Sequence, residues 1–187
     1  MNKNNTAFGI NAGLIIAALY VLMLWIKFTF LSYNPFAFYL GSFISYFIII
    51  AALVITGVQK RSSMGGYAEI KDLFRPIFIS IIFAEVAYLL FTYFYLNYIN
   101  PTFFQTYEES MNAFVHKNKM SAEKIKEQIE MVRSQAKSSK DFWGLAKSLL
   151  ARWIVVDSIF GLMISFFLRK KTPEQLMEMH MSKQKFN

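Results

Sequence analysis

Two carboxylates stand where carboxylates are costly. Glu85 and Asp157 each lie inside a long apolar run of this 187-residue chain. An ionised acid at the centre of a bilayer costs on the order of 2.5–3.5 kcal/mol on insertion scales. Two kinds of chemistry fit such residues. Protonated, they are hydrogen-bonding glue between helices. Exchanging protons, they mark a proton- or substrate-linked pathway. Glu85 lies about nine residues, roughly 13 Å at helical rise, from the basic end of its run, and Asp157 about eleven residues, roughly 16 Å, from the basic end of its own. Antiparallel helices would hold both at similar depth. Ala84, Tyr88 and Thr92 flank the Glu85 side, while Asp157, Gly161 and Ser165 repeat at fourth positions on one face. Lys27 and Arg152 fall toward the opposite surface, where their stems can snorkel outward. With no cation at their depth, the acids are expected to be protonated and bonded to Tyr20, Ser45, Tyr46 or each other.

Other chemistry is thin. The chain has no cysteine, so no thiolate site or disulfide can form. His116 and His180 fall on opposite sides of the expected bilayer and read as solvated surface residues. Gly65-Gly66 lacks the surrounding phosphate-binding or dinucleotide pattern. No catalytic residue, metal ligand or cofactor-binding residue is expected. An enzyme would have to rest on carboxylates alone.

The elements that position the acids follow from composition. The chain is 55% hydrophobic, 18% aromatic and 17% charged, with mean hydropathy +0.33. Soluble domains carry about 25% charged residues. The apolar residues collect into runs that predict membrane spans at about 8–31, 36–58, 76–98 and 145–168, each near the length a bilayer requires. The first run is too long, and its flank too bulky, for a cleaved signal peptide. The expected fold is all-α and integral to the membrane, a single domain over 1–187: four transmembrane helices, an outer helical loop at 100–144 and a tail at 169–187. Pro76 is expected to open the third span. The net charge of +8 does not point to nucleic acid, because the cations flank spans. Lys60, Arg61, Lys71 and Arg75 make a short basic loop, and Arg169, Lys170 and Lys171 close the last span. Cations near span ends are retained in the cytoplasm, which predicts both termini there.

Gly9, Gly13 and Ala17 form a small-residue face for close helix packing, within the bundle or against a second copy. In the loop, Phe103, Phe104, Tyr107, Met111 and Phe114 repeat at helical spacing and predict an amphipathic helix. Ser121 offers an N-cap to a second, with Ile125, Ile129 and Val132 as its narrow stripe. The pair forms a hairpin along the membrane surface, or docked on the spans or a partner. Residues 138–141 hold N-cap candidates for the last span. Thr172-Pro173-Glu174-Gln175 reads as a capping box for a short tail helix at 176–181.

Met64-Gly65-Gly66-Tyr67 ahead of a third run, Tyr98-Ile99-Asn100-Pro101 closing it, and Gly161 to Ser165 in a last run ending Arg169-Lys170-Lys171 resemble a family of four-span membrane proteins from Bacteroidota, domain of unknown function 4199. Residues 68–72, AEIKD, are more charged than in that family. The resemblance implies the inner membrane of a Gram-negative bacterium, and brings no activity. The leading expectation is a non-enzymatic accessory or interaction protein whose partners are the lipid bilayer and another membrane or periplasmic protein. The alternatives are a small proton- or ion-coupled carrier using Glu85 and Asp157 and, through the resemblance, an accessory to lipid-linked glycan assembly.

Overall fold

The computed structural model describes residues 3–171, apart from the side chains of 3–4 and 148–152. The helices are α1 (Lys3–Phe30), α2 (Pro35–Ser63), α3 (Ile70–Phe94), α4 (Phe103–Lys117), α5 (Ala122–Ser139) and α6 (Phe142–Leu168). A π-helical turn, Tyr95–Ile99, prolongs α3. The tail helix, its capping box and His180 lie outside the described residues, as does the Arg152 side chain.

Local chemistry sets the helix starts. Asn34 is extended and accepts from the amides of Phe36 at 3.1 Å and Ala37 at 3.3 Å, with Pro35 at the first helical position. Ser121 Oγ accepts from Lys124 N at 3.5 Å, and Asp141 caps α6 through Trp143 N and Gly144 N. Between α2 and α3 the backbone turns at Gly65 and Gly66, with φ of 73° and 87°, where a side chain would be strained.

Three stretches, Asn5–Phe30, Pro35–Ser63 and Ile70–Ile99, are long and apolar enough to cross a membrane. Their flanks present side chains such as Ile15 (71% exposed), Phe43 (63%) and Phe47 (65%). A bilayer would solvate that belt; water would not. The predicted fourth span is a helix, but its apolar segment among the described residues, Trp153–Leu168, is shorter than the other three.

Two boundaries differ from expectation. α3 begins at Ile70, leaving Pro76 inside the helix. The four cations accordingly do not occupy a loop. Lys60 and Arg61 sit in the last turn of α2, where positive charge suits the helix dipole, and Lys71 and Arg75 lie in the opening turns of α3. Lys60 is buried, its ammonium 5.5 Å from the Phe8 ring centroid. Arg61 donates to Leu168 O at 3.3 Å, and Ala68 pairs with Lys170 through two backbone hydrogen bonds of 3.0 Å. Both basic segments therefore meet at one end of the molecule, called here the basic end.

α3 is central, packed most extensively against α1 and then α6. A Cβ on Gly9 would lie 2.8 Å from Pro76 Cα and 3.0 Å from Pro76 O, and Ser80 Oγ donates to Gly9 O at 3.2 Å. Gly13 lies against Phe83, and Ala17 on the same face is half-buried. This small-residue face is thus used inside the chain. Gly161 does the same for α6, meeting Ile77 and Ile81, while the buried Ser165 hydroxyl donates back to Gly161 O at 2.7 Å.

At the other end, α4 lays Phe103, Tyr107, Met111 and Val115 onto the tips of α1 to α3. Phe103 stands 5.0 Å from Phe28, and Tyr107 5.0 Å from Phe38, between ring centroids. α5 packs on α4 through Val132, Ile125 and Ile129. Outside that seam, Arg133 pairs with Glu108 at 2.6 Å, and this hydrogen bond, with the Glu108 charge, raises the Arg133 pKa. Of the placements open to these apolar faces, the one they take is docking on the long helices.

Candidate functional site

Two buried carboxyls and three phenols gather at one level of the interior. Glu85 on α3 is 5% exposed and Asp157 on α6 is 8% exposed, and their carboxyls come within hydrogen-bonding reach of each other. Tyr46, from α2, donates its hydroxyl to Asp157 Oδ1 at 3.0 Å. Its ring is held from the α6 side by Trp153 and Phe160, at centroid distances of 6.2 and 6.1 Å. From α1, Tyr20 stacks on Tyr88 at 5.5 Å, and both phenols lie within electrostatic range of Glu85. Each long helix therefore contributes a carboxyl or phenol to one cluster.

Helical spacing explains the assembly. Asp157, Gly161 and Ser165 lie along one edge of α6, and the missing side chain at Gly161 lets that edge close on α3 at Ile77 and Ile81. One turn above this contact, Asp157 is delivered to Glu85. Among the described side chains, neither acid has a Lys or Arg partner. Two carboxyls in contact inside a low-dielectric bundle cannot both be ionised without strong repulsion. The chemistry open to the cluster is hydrogen bonding and proton exchange. Among the described residues, no group of three or more His, Cys, Asp or Glu side chains could hold a metal ion.

The other residues singled out in the sequence fall elsewhere. Ser45 is buried but donates to Gly41 O at 2.7 Å, within its own helix, and takes no part in the cluster. Lys27 does not snorkel. It is 7% exposed, donates to Ser42 Oγ at 3.1 Å, and stands 4.4 Å from the Phe38 centroid and 4.9 Å from that of Phe28. Rings and a hydroxyl replace its water. His116 lies at the end of α4, far from the acids in the fold.

Above Glu85, the α3 face carries Tyr88, Thr92 and Tyr95. Thr92 Oγ1 is buried, bonds to no backbone carbonyl and lies beside the Tyr88 hydroxyl. The Tyr95 hydroxyl meets Thr29 Oγ1 at 3.3 Å. Asn97, in the π-helical turn, donates to Tyr93 O at 2.9 Å and Ser139 O at 3.0 Å, tying α3 to the end of α5. An asparagine and hydroxyls late in an apolar run were the available sequence signal for these contacts.

Fold and site together define an all-helical, membrane-spanning protein with a buried carboxyl and phenol cluster. A family model described as "Protein of unknown function (DUF4199)" matches residues 7–170, and the chain belongs to that family. No curated protein and no solved structure matches it.

Proposed function

We propose that the chain is a small four-span protein of the bacterial inner membrane whose activity depends on proton exchange at the Glu85–Asp157 pair. One observation carries this reading. Two acids from different helices face one another, bonded by a tyrosine rather than a described cation. Glue between helices needs one donor and one acceptor, and an amide would serve at lower cost. A facing acid pair can do what an amide cannot, which is to gain and lose a proton. The burial of the α4 and α5 apolar stripes against the long helices weighs against the accessory reading, because it removes the surface offered to a partner.

Several features support the membrane placement. α6 has 27 residues, and a helix of that length reaches about 40 Å at 1.5 Å per residue, enough to cross a bilayer. The basic segments meet at one end, beside the start of α1 at Gly9. Retention of those cations puts that end, and both termini, in the cytoplasm.

Glu85→Gln and Asp157→Asn test the function. Each should insert and fold while losing the phenotype complemented by the native gene, and the carboxylic C=O infrared band of the pair should disappear. Amide variants that complement fully would overturn the proton-linked reading. The accessory reading keeps one supporting feature, an apolar recess of about 400 Å³ where Phe36 and Tyr39 of α2 face Met111 and Phe114 of α4. Filling it with Met111→Trp should then abolish activity while sparing the pair.

A further inference from the structure

The surroundings of the acid pair differ sharply along the helix axis. Taking 100° per residue, Glu85, Tyr88, Thr92 and Tyr95 lie within about 80° of arc, a polar stripe climbing α3 toward the α4–α5 end. Below Glu85 the same arc holds Ile81, Ile77 and Phe74. Ile77 and Ile81 are 0% and 1% exposed and share one cluster with Ile49, Leu53 and Ile164. Gly161 closes that plug by letting α6 touch both isoleucines.

The hydroxyls follow the same division. Ser80, Ser165 and Thr56, all buried on the plugged side, donate to carbonyls in their own helices at 3.0, 2.7 and 2.9 Å. Those hydrogens are committed to the backbone. Thr92 Oγ1, 5% exposed, has no such commitment, and it lies beside the Tyr88 hydroxyl. A buried hydroxyl that is not bound to its own backbone can turn its hydrogen between side-chain oxygens.

We infer that the Glu85–Asp157 pair exchanges its proton only with the α4–α5 end, through the hydroxyls of Thr92 and Tyr88, while the isoleucine plug closes the path to the basic end. The inference rests on the proposed function and adds to it a route and a side. Each hydroxyl accepts a proton at its oxygen as its own hydrogen passes to the next oxygen. Thr92 and Tyr88 end unchanged, and the net change is one proton on the carboxyl pair. The titratable groups facing the pair are Tyr20 from α1, Tyr46 from α2 and Tyr88 from α3. Tyr46, on α2 rather than on the α3 stripe, donates to Asp157 and is expected to fix its orientation rather than carry the proton.

The test uses full-length protein in sealed proteoliposomes. Ser110→Cys in this cysteine-free chain supplies a handle for sorting vesicles by orientation. The carboxylic C=O infrared band is followed after a pH step on one side, with Glu85→Gln to assign it. Protonation should follow a step on the α4–α5 side and lag behind a step on the other. Thr92→Val should slow it by about tenfold or more without moving the equilibrium, while Thr92→Ser, which restores the hydroxyl, should return the native rate. Tyr88→Phe should act as Thr92→Val does, and carries the test alone if Thr92→Val does not fold. A band that titrates at the native rate in both Thr92→Val and Tyr88→Phe, or equally fast from either side, overturns the route alone. A band that never changes with pH overturns the proposed function and the route with it.

Discussion

Replacing Gly9 with alanine should destabilise the protein more than the same change at any other helical glycine. The added Cβ would stand 2.8 Å from Pro76 Cα and 3.0 Å from Pro76 O. Those atoms are backbone, and the proline ring stiffens the turn that carries them, so one helix must move as a body. Overpacking of this kind costs about 1–3 kcal/mol. Separating the helices also breaks the Ser80 to Gly9 hydrogen bond, 3.2 Å long, and such bonds average about 0.6 kcal/mol in membranes. The expected total is about 2–3 kcal/mol. At Gly57 the nearest obstacle, at 2.6 Å, is Leu168 Cδ1, the far end of a flexible side chain. Gly57→Ala should therefore be nearly neutral, since alanine's better helix propensity offsets the small shift. Gly13→Ala, against Phe83 at 3.0 Å, should fall between the two. Unfolding by titrated detergent, with helicity as the signal, measures all three. Gly9→Ala proving as stable as Gly57→Ala would refute the claim that backbone contact at Pro76 sets the α1–α3 spacing.

Three further expectations follow from other contacts. Burial, with a smaller contribution from Tyr39, raises the Tyr107 pKa; its neutral form is favoured in the folded protein, so this stabilisation is complete below the unfolded value near 10 and is lost as pH rises above it. Tyr107→Phe should flatten the alkaline limb of stability, read from α4 hydrogen exchange against pH; an unchanged limb counts against the docking of α4. Phe38→Leu removes the nearer ring under Lys27 and should cost about 0.5–2 kcal/mol, whereas Lys27→Met alongside it should abolish most of that difference in a double-mutant cycle. Single cysteines at Ser110 and Ser63 should label from opposite sides of an intact membrane, Ser110 from the periplasm; the reverse pattern would sink the proposed orientation.

Features carried by local pattern were legible in the sequence. Apolar runs marked the three long helices, and Ser121 and the 138–141 segment disclosed the caps of α5 and α6 because capping depends on the next three residues alone. Counting residues along two runs was enough to bring Glu85 and Asp157 to one depth. Depth does not give azimuth, however. Ser45 and Tyr46 are neighbours at the same level yet point about 100° apart, and only packing reveals that Tyr46 reaches Asp157 while Ser45 turns to its own helix. The burial of Lys27 was illegible for a similar reason, since Phe38 and Ser42 belong to another helix. Pro76 misled in the other direction. Its ring reads as a boundary, but α3 continues to Ile70 with the proline inside.

The order of the helices also bears on how the protein is made. Glu85 arrives with α3, when Tyr20 and Tyr46 have already been synthesised, but Asp157 comes only with α6, after α4 and α5. A nascent chain that has inserted α1 to α3 holds one acid in its polar centre with no second acid to share a proton. Insertion of α3 is cheapest if Glu85 enters protonated and stays so until α6 arrives. Ionisation before then would leave a charge at that depth with no second acid to share it.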